Sequence, residues 1–469
     1  QAFQKGYSAR FVNIYFIGNM DYMKNEKKAY LCSECGAYSG KWQGQCPDCD
    51  AWNSLGQTIV SKKAITSSRN TIEAKKLNEI NEELIIRYDT GFSEFNRVLG
   101  GGLVPGSVVL LGGDPGIGKS TLLQQIATKL PNELTPCYVT GEESINQVAQ
   151  RSSRIGTSQS DMLILSTTSL EQVFQVTKKS QARVIIIDSI QTMISSEVSS
   201  SPGSVSQLRE CVGELVQFAK KNDISILLIG HVTKEGVIAG PRIVEHMVDT
   251  VLYFENDLAS RYTIIRAVKN RFGASSEMGV FAMTEIGFRE VKNPSAIFLS
   301  GDYIDRPGSL VSVAWEGSRP LLFEIQALVS ETHANHTKRL AQGIDQNRLP
   351  LLTAVLQKYA DLSLAQFDIF INVVGGLRID GIAADLPAIL AIVSSYKEIA
   401  SKKRLISFGE IGLAGEVRPV KYGTERLVEA AKQGFTIAVI PKANLPKKKI
   451  NNMEVVPVEN LTDAINILF

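Results

Sequence analysis

The stretch GGDPGIGKST, residues 112–121, sets glycines and hydroxyl side chains around a single lysine. Gly113, Gly118, Lys119 and Ser120 match the spacing G-x-x-x-x-G-K-[ST], which is typical of loops that bind nucleotide phosphates. Glycines let backbone N–H groups curl around phosphate oxygens without a Cβ clash, and a helix beginning near Lys119 would point its positive end at the anion. A tight turn without chemistry is the alternative, but an apolar strand precedes the loop and an amphipathic helix follows it.

The loop therefore predicts a site for ATP and Mg²⁺. Lys119 is expected to contact the β- and γ-phosphates and to act in catalysis, and the hydroxyl of Ser120 is expected to bind the magnesium ion. The predicted ATP-binding residues are Gly113, Asp114, Pro115, Gly116, Ile117, Gly118, Lys119, Ser120 and Thr121.

Acidic side chains follow two other apolar runs. Asp188 ends the strand-like run VIIID and is predicted to approach the magnesium ion through water, although such residues also serve as helix caps. Glu142 and Glu143 follow CYVTG, where a carboxylate could orient and deprotonate the water that attacks ATP. Both could instead be acids of a first helical turn, favoured by the helix dipole. We predict Glu142 as the catalytic base, with Glu143 as its neighbour or substitute.

His231 follows the apolar run ISILLIG, where a polar side chain could sense the γ-phosphate and relay its loss to the next loop. A hydrogen-bonded, purely structural histidine is the alternative. The loop at 232–246 contains two glycines and the cations Lys234 and Arg242, and we predict that it contacts a nucleic-acid strand. A plain solvated loop would have the same composition.

The segment KNRFG, residues 269–273, follows the strand-like run YTIIRAV and groups two cations with an amide, an aromatic ring and a glycine. Lys269 and Arg271 alternate at the end of the strand and should project to one side, whereas Asn270 faces the other way. ATP hydrolysis develops negative charge that a cation from a neighbouring subunit can stabilise. We predict that Lys269 and Arg271 act in trans on the adjacent ATP or couple it to nucleic acid; a charged surface loop is the alternative.

Four of the six cysteines form two close pairs, with the spacing C-x₂-C-x₁₀-C-x₂-C. Each C-x-x-C turn aims two thiolates at one point, and two such turns complete a tetrahedral zinc site. Two disulfides are the alternative, which an intracellular chain disfavours. The sequence thus predicts a structural Zn²⁺ held by Cys32, Cys35, Cys46 and Cys49.

The composition of the chain is that of a globular protein of more than one domain. At 469 residues the chain is too long for one ordinary domain, and 44% of its residues are hydrophobic. A net charge of +2 gives no strong overall field, so any contact with nucleic acid must use local basic patches. The sequence contains no run of about 18 apolar residues, so no membrane helix is expected. The apolar run FVNIYFIG is short and no cleavage site follows it, so no signal peptide is expected.

Changes in composition divide the chain into five parts. We predict an N-terminal extension that is disordered or foreign to the fold, a Cys₄ zinc module, a polar linker, an ATPase domain and a C-terminal domain. Their predicted bounds are 1–29, 30–57, 58–85, 86–292 and 293–469. Apolar runs such as SVVLLGG and VIIIDSI predict an α/β ATPase domain with a mostly parallel sheet that is buried on both faces. The C-terminal part reads as an α/β or α+β domain.

The order of the motifs closely resembles the bacterial RadA (Sms) family of DNA repair proteins. The shared features are the paired cysteines, GGDPGIGKST, TGEES, IIIDSIQT and KNRFG, and the resemblance runs from about residue 29 to the end. KNRFG is highly specific to that family. The resemblance implies a RecA-like core, similar also to the replicative DnaB helicases, that assembles as rings or filaments with ATP at the subunit interfaces.

The C-terminal domain resembles the proteolytic domain of Lon. The match covers FDIFINVVGGLRIDGIAADLPAILAIV and GEIGLAGEVRPVKYGTERLVEAAKQG, but Ala383 stands where Lon has its serine and Arg426 where it has its lysine. Alanine has no nucleophile, and a guanidinium stays protonated. We therefore predict an inactive scaffold without peptidase activity. Its basic patches, at 402–404 and 447–449, are candidate DNA contacts or simply solvated charge.

By this resemblance the chain is a DNA-dependent ATPase and helicase that moves along single-stranded DNA as a ring of copies of itself, six being expected. It would drive branch migration in RecA-dependent repair, with single-stranded and branched DNA and RecA as partners, in the cytoplasm at the nucleoid. The zinc module would be the contact for RecA. An ATP-switched mediator that binds DNA and RecA without unwinding is the alternative. An ATP-dependent protease and a clock-type or kinase ATPase of the same core are less favoured.

Overall fold

The computed structural model describes residues 27–32, 38–47, 50, 52–60, 86–230, 243–255, 262–299, 306–332, 336–379 and 381–468. Within these residues the strands form a small N-terminal sheet, a nine-stranded central sheet and a seven-stranded C-terminal sheet, with one further strand pair. Among the same residues, none of the helices combines the length and the apolar character that a membrane crossing requires.

Antiparallel strands build the module that contains the cysteine pairs. These strands are β1 (Lys27–Cys32), β2 (Tyr38–Ser39) and β3 (Leu55–Val60). β1 lies between the other two, and its pairing with β3 runs from residue 27 opposite residue 60 to residue 32 opposite residue 55. The sheet therefore extends beyond the predicted bounds of 30 and 57. The sequence at residues 58–60 is Thr-Ile-Val, and these residue types are enriched in strands.

The central sheet belongs to the ATPase domain. Its strands are β4 (Val108–Gly112), β5 (Cys137–Thr140), β6 (Leu163–Ser166), β7 (Val184–Asp188), β8 (Ser225–Ile229), β9 (Thr250–Glu255), β10 (Tyr262–Asn270), β11 (Met278–Thr284) and β12 (Gly287–Glu290). The strand order is β12-β11-β10-β9-β4-β8-β7-β5-β6. β4 to β9 pair in parallel, and β10 to β12 extend the sheet in antiparallel directions. Every residue of β4, β7 and β8 is buried, as predicted for strands covered on both faces.

Helices cover both faces of the central sheet. They are α1 (Ser93–Leu99), α2 (Lys119–Lys129), α3 (Ile145–Arg154), α4 (Leu170–Ser180), α5 (Val205–Asn222) and α6 (Ile243–Met247). The start of α3 is fixed by a serine, because the hydroxyl of Ser144 accepts a hydrogen bond from the backbone N–H of Gln147 while the Gln147 side chain binds back to the backbone N–H of Ser144. This cap fixes the short connection between β5 and α3, which carries the acidic pair of the TGEES motif.

The C-terminal domain has a mixed sheet covered by helices. Its strands are β13 (Ser309–Glu316), β14 (Arg319–Glu331), β15 (Arg339–Gln342), β16 (Phe367–Val373), β17 (Leu405–Ser407), β18 (Glu410–Ile411), β19 (Val417–Arg418), β20 (Ile437–Pro441) and β21 (Glu454–Val458). Its helices are α7 (Arg348–Tyr359), α8 (Asp385–Lys397), α9 (Gly423–Lys432) and α10 (Leu461–Leu468). The sheet has the order β15-β16-β14-β13-β17-β20-β21, and β18 pairs with β19. The apolar sequence LPAILAIV makes α8 the buried centre of this domain.

One edge of the C-terminal sheet is formed by β15, whose outer backbone groups are held by a side chain. The amide oxygen of Gln346 accepts a hydrogen bond from the backbone N–H of Ala341 at 2.6 Å. The amide nitrogen of the same side chain donates to the carbonyl oxygen of Arg339. A single glutamine therefore satisfies a donor and an acceptor that a further strand would otherwise use.

The two large domains share apolar packing across the predicted boundary at residue 293. Met278 and Val280 of β11 are fully buried in the same cluster as Leu310, Leu321 and Phe323 of the C-terminal domain. The hairpin formed by β13 and β14 thus lies against the antiparallel part of the central sheet. A change in composition marks where one domain gives way to the next, but it does not reveal that the two are packed together.

Candidate nucleotide site

The phosphate-binding loop joins the end of β4 to the start of α2. Gly113, Gly116 and Gly118 have φ angles of 149°, 80° and 102°, in the left-handed region that favours glycine. A Cβ atom on Gly118 would lie 2.5 Å from Cε of Met283, so the loop packs closely against the β11–β12 hairpin. The loop conformation therefore requires glycine at the positions where the sequence pattern has it.

Lys119 is buried inside the loop. Its Nζ atom donates hydrogen bonds to the carbonyl oxygens of Gly113 and Asp114, at 2.6 and 2.9 Å. Burial lowers the pKa of this ammonium group, while the carboxylates of Asp188, Asp114 and Glu142 act in the opposite direction. Because both hydrogen-bond acceptors are neutral carbonyls, anionic phosphate oxygens can replace them with stronger, charge-assisted bonds.

Asp188 lies buried at the carboxyl end of β7, beside the loop. Its carboxylate accepts a hydrogen bond from the hydroxyl of Tyr138, which also interacts with the hydroxyl of Ser120. Burial, reinforced by the charge of Asp188, raises the pKa of Tyr138 well above its ordinary value. Tyr138 thus joins the two predicted magnesium ligands in a cluster of oxygen atoms that suits a hard cation such as Mg²⁺. Sequence reasoning missed Tyr138, because a tyrosine inside a strand reads as core.

The two acidic residues after β5 have different partners. The carboxylate of Glu143 accepts a hydrogen bond from Nη1 of Arg151 at 2.9 Å, within an ion pair between the two side chains. The carboxylate of Glu142 accepts a hydrogen bond from the hydroxyl of Ser189, the residue that follows Asp188. Glu142 is therefore directed toward the end of β7, next to the predicted magnesium ligand, whereas Glu143 is held by a cation of α3.

Exposed apolar side chains lie beside the phosphate loop, at the turn between β11 and β12. Met283 is 37% exposed and Ile286 is 52% exposed, although Met283 also contacts the region of Gly118. An apolar surface next to a phosphate loop can hold the base of a nucleotide. Sequence reasoning missed this surface, because apolar residues in a hairpin turn match no motif.

Lys269 and Arg271 lie at the end of the central sheet's strands opposite to the phosphate loop. Asn270, between them, pairs with Thr250 at the start of β9, and Thr250 pairs with Val109 near the start of β4. The phosphate loop follows the other end of β4. This strand has five residues, so its two ends are separated by about 13 to 16 Å.

The ammonium group of Lys269 closes the carboxyl-terminal end of α6. Its Nζ atom donates hydrogen bonds to the carbonyl oxygens of Glu245, His246 and Val248, at 2.9, 3.0 and 2.8 Å. Burial lowers the pKa of Lys269, and the positive charge of Arg271 acts in the same direction. Such an arrangement orders the end of a helix and fixes the position of the cation.

Arg271 is anchored by a buried carboxylate but keeps an accessible side chain. Its Nη1 atom lies 3.2 Å from Oδ1 of Asp249, and 52% of the arginine side chain is exposed. Asn270, by contrast, contacts α1, since its Nδ2 atom donates a hydrogen bond to the carbonyl oxygen of Val98 at the end of that helix. The structure therefore places a fixed lysine and an accessible arginine side by side at this end of the strands.

The cysteine module brings two of its predicted zinc ligands together. Cys32 and Cys46 are both fully buried in one small cluster with Leu55 and Tyr30. The thiol of Cys32 donates to the hydroxyl of Ser54 at 3.2 Å. Two buried sulfur atoms in one cluster are donors that fit a zinc ion. Cys35 and Cys49 lie outside the described residues. Within the described residues, no group of three or more histidine, cysteine or acidic side chains could hold a metal.

The positions predicted to match the Lon serine and lysine hold a buried alanine and a buried arginine. Ala383 lies buried in the turn that leads into α8, where a cavity of about 840 Å³ borders its neighbours Ile382 and Ala384. Arg426 is buried in α9, where its guanidinium donates to the carbonyl oxygens of Val313 and, at 3.1 Å, of residue 421. Burial lowers the pKa of Arg426 to about 10, so the group still carries its charge near neutral pH.

Besides Cys35 and Cys49, three predicted residues fall outside the described part of the chain. They are His231, Lys234 and Arg242. The described end of the predicted loop at 232–246 is not a loop, because residues 243–247 form the short helix α6. Its carboxyl-terminal end is the one that Lys269 closes.

Three family models match separate parts of the chain. A model described as a rubredoxin metal binding domain matches residues 30–57, and one described as an AAA domain matches residues 74–237. A model described as subunit ChlI of Mg-chelatase matches residues 323–444. Together with the loop geometry, these matches define a P-loop ATPase that carries a metal-binding module before its core and a Lon-like domain after it, as the sequence predicted.

Relatives match the chain over nearly its whole length. The DNA repair protein RadA of Haemophilus influenzae is 48% identical over 454 residues, which cover 95% of this chain and 99% of that protein. RadA of Escherichia coli is 47% identical over 455 residues, with the same shares covered, and RadA of Bacillus subtilis is 44% identical over 452 residues, which cover 94% of this chain and 99% of that protein. The chain belongs to the RadA family of DNA repair proteins, and the predicted resemblance is confirmed.

Proposed function

We propose that the protein is a DNA-dependent ATPase that moves along single-stranded DNA as a ring, expected to be a hexamer, and drives branch migration in RecA-dependent repair. One observation carries this proposal: the phosphate loop and the cations Lys269 and Arg271 lie at opposite ends of the strands of one sheet. A single chain then does not bring both to the same ATP. A ring of copies can, because each chain then presents one of these two ends to each neighbour.

In this mechanism each ATP is bound by one chain and completed by the next. Lys119 and the N–H groups of the loop bind the phosphates, and Ser120 and Asp188 would hold Mg²⁺, which neutralises phosphate charge when bound. Glu142 accepts the proton of the attacking water. Arg271, the more accessible of the two cations, reaches the charge that develops on the neighbour's ATP, while Lys269 supports it.

Contact with DNA uses local basic groups and the loop beyond β8. We propose that His231 senses the γ-phosphate and that Lys234 and Arg242 contact the DNA backbone, with Lys269 and Arg271 as further candidates. Phosphate contacts carry no sequence information, so binding should be independent of sequence and weaken steeply with salt. The loss of the γ-phosphate would then move the DNA contacts between two positions.

The test of the proposal mixes two inactive variants. Lys119→Ala removes the phosphate-binding lysine, and Arg271→Ala removes the cation offered to the neighbour. If Arg271 acts in trans, an Arg271→Ala chain with an intact loop gains activity from a Lys119→Ala neighbour with an intact arginine. At a one-to-one ratio about a quarter of random interfaces combine both intact parts, so DNA-stimulated ATPase should rise well above that of either variant alone.

The matched control for this mixture is the double variant Lys119→Ala/Arg271→Ala, which should restore nothing to Arg271→Ala chains. Full activity of the Arg271→Ala variant alone, or a mixture no more active than its components, would show that the cation does not act between subunits.

The second candidate is an ATP-switched mediator that binds DNA and RecA without unwinding. The family name and the ATPase domain favour it as much as they favour a helicase. Displacement of a paired strand from forked DNA with ATP separates the two, because a mediator leaves the fork paired. A peptidase is the third candidate, and the alanine and buried arginine of the Lon-like domain argue against it.

We predict that the purified protein does not cleave casein, with or without ATP and DNA. Ala383 supplies no nucleophile, and the charged Arg426 cannot take a proton from one. Gel analysis over several hours checks this, with an ATP-dependent protease as the positive control. Cleavage that persisted through further purification and scaled with protein concentration would refute the prediction.

We also predict that the cysteine module contacts RecA. Cys46→Ser removes a buried sulfur atom from the predicted zinc site, so the module should lose its metal while the separate ATPase core stays folded. DNA-stimulated ATPase should persist within about twofold, but its response to RecA should disappear. Ser54→Ala, which removes only the hydroxyl beside Cys32, is the matched control. An unchanged response to RecA in the metal-free variant would exclude the module as the contact.

A further inference from the structure

We infer that the β13–β14 hairpin of the C-terminal domain positions the KNRFG segment, and that Arg319 and Glu94 are positioning residues for ATP hydrolysis. This inference rests on the proposed action of Lys269 and Arg271 on the ATP of a neighbouring subunit. The hairpin lies against the antiparallel part of the central sheet and contacts two elements, α1 and β10. The carboxyl-terminal end of each of these elements lies at KNRFG.

The first connection starts at the tip of the hairpin. The guanidinium of Arg319 forms two parallel hydrogen bonds with the carboxylate of Glu94 in α1, both at 2.9 Å. Glu94 is only 5% exposed, and its Oε2 atom also accepts from the backbone N–H of Val280 at 2.9 Å. Arg319 donates in addition to the carbonyl oxygen of Met278 at 3.2 Å. A bidentate pair of this kind fixes the angle as well as the distance between its partners.

The hairpin turn itself fits closely against the ATPase domain. Gly317 has a φ angle of 59°, and a Cβ atom on it would lie 2.6 Å from Cα of Glu277. Next to it, Glu316 accepts a hydrogen bond from Nη1 of Arg266 in β10 at 3.0 Å. Arg266 also binds Glu255 of β9. The second connection therefore enters β10 three residues before Lys269.

The far end of α1 contacts KNRFG directly. The carbonyl oxygen of Val98 accepts a hydrogen bond from Nδ2 of Asn270 at 3.1 Å. A Cβ atom on Gly100 would lie 2.7 Å from the carbonyl oxygen of Phe272 and 2.8 Å from Cα of Gly273. α1 is thus a short helix that links the two sites: Arg319 is bound near its start, and the KNRFG segment packs against its end.

These contacts explain why a buried ion pair is used where apolar packing would serve for stability. Replacing a buried ion pair by apolar residues often leaves stability unchanged or improves it, so a buried pair is weak evidence for a stabilising role. A guanidinium that must reach a phosphate on another subunit, however, needs its position fixed, since an error of about 1 Å can cost about a hundredfold in rate. Two rigid connections to the same segment supply that accuracy.

The experiment uses the full chain with the double substitution Glu94→Gln and Arg319→Gln, which removes both charges of the bidentate pair; Arg97, the other cation near Glu94, keeps a side chain that is 34% exposed. We expect DNA-stimulated kcat to fall about tenfold while KM for ATP changes less than about twofold, because the phosphate loop is untouched. Arg418→Ala, which removes an exposed arginine that pairs with Glu410 at 3.8 Å in the same domain, is the matched control and should keep full activity. Arg319→Lys, which keeps the charge but not the bidentate geometry, should be intermediate.

Mixing with Lys119→Ala chains distinguishes positioning from a structural role. A Lys119→Ala neighbour has an intact hairpin and an intact KNRFG segment, so it should restore activity to the double variant in the same way as to Arg271→Ala. Restoration of Arg271→Ala but not of the double variant overturns this inference and leaves the proposed function standing. Restoration of neither overturns the action in trans, and this inference with it. Full activity of the unmixed double variant also overturns it.

Discussion

Replacing Glu142 with glutamine is expected to lower the DNA-stimulated kcat for ATP hydrolysis by about a thousandfold, while ATP still binds. The carboxylate is directed to the end of β7, where the hydroxyl of Ser189 holds it beside Asp188. Glutamine has almost the same shape and can keep a hydrogen bond to Ser189, but it cannot accept the proton of the attacking water. The measurement is single-turnover ATP hydrolysis, with nucleotide binding followed separately.

Glu143→Gln is the matched control, because it makes the same chemical change one residue away. Its carboxylate is engaged with Arg151, so its loss should weaken the position of α3 and reduce the rate by about tenfold at most. A larger loss in Glu143→Gln than in Glu142→Gln would reverse the assignment of the base. Equal and small losses would mean that neither carboxylate takes the proton.

Lys119→Ala is expected to abolish measurable hydrolysis, with a loss of at least about a hundredfold to a thousandfold in kcat/KM. The buried ammonium group donates hydrogen bonds to two loop carbonyls, and burial lowers its pKa although the carboxylates of Asp188, Asp114 and Glu142 oppose that shift. Phosphate oxygens accept stronger, charge-assisted hydrogen bonds from the same atom, so binding and charge stabilisation both depend on it. A fluorescent nucleotide titration and a steady-state assay measure both effects.

Lys129→Ala tests whether charge on α2 in general accounts for the loss. Lys129 lies at the other end of the same helix, where its Nζ atom donates to the carbonyl oxygen of Gly91 and lies over the ring of Phe92. Its loss should change stability slightly and hydrolysis by less than about twofold. Retention of ATPase activity in Lys119→Ala would contradict the predicted role of the phosphate loop.

Much of the fold could be predicted because its signals are local. The runs VVLLG, VIIID and SILLI are apolar at every position, and a strand with that composition must be covered on both faces. The run YTIIRAV of β10 was predicted as a strand, but β11, β12 and the antiparallel direction of all three were not, although β10 alternates between buried and half-buried positions as a half-covered strand does. Strand direction depends on pairing between distant segments, which no local pattern encodes.

For the candidate site too, the features within short stretches of sequence could be predicted, and the contacts between distant residues could not. The phosphate loop and KNRFG lie within short stretches, so residue types and spacing identified both. Partners such as Tyr138 with Asp188, and Arg319 with Glu94, are far apart in sequence and meet only because the sheet brings them together. The sequence alone suggested that Lys269 and Arg271 act on the ATP of a neighbour, and the strand pairings support this by placing both at the end of the strands away from their own loop.

The side chain of Gln346 has a consequence for copies of this domain held side by side. An open strand edge invites an identical edge to add to it, and crowded copies of a protein then fuse into larger sheets. Here the N–H of Ala341 and the carbonyl of Arg339 are occupied from within the chain. We therefore expect neighbouring molecules to touch the β15 edge at high local concentration without adding a strand to it, and to separate again as individually folded units.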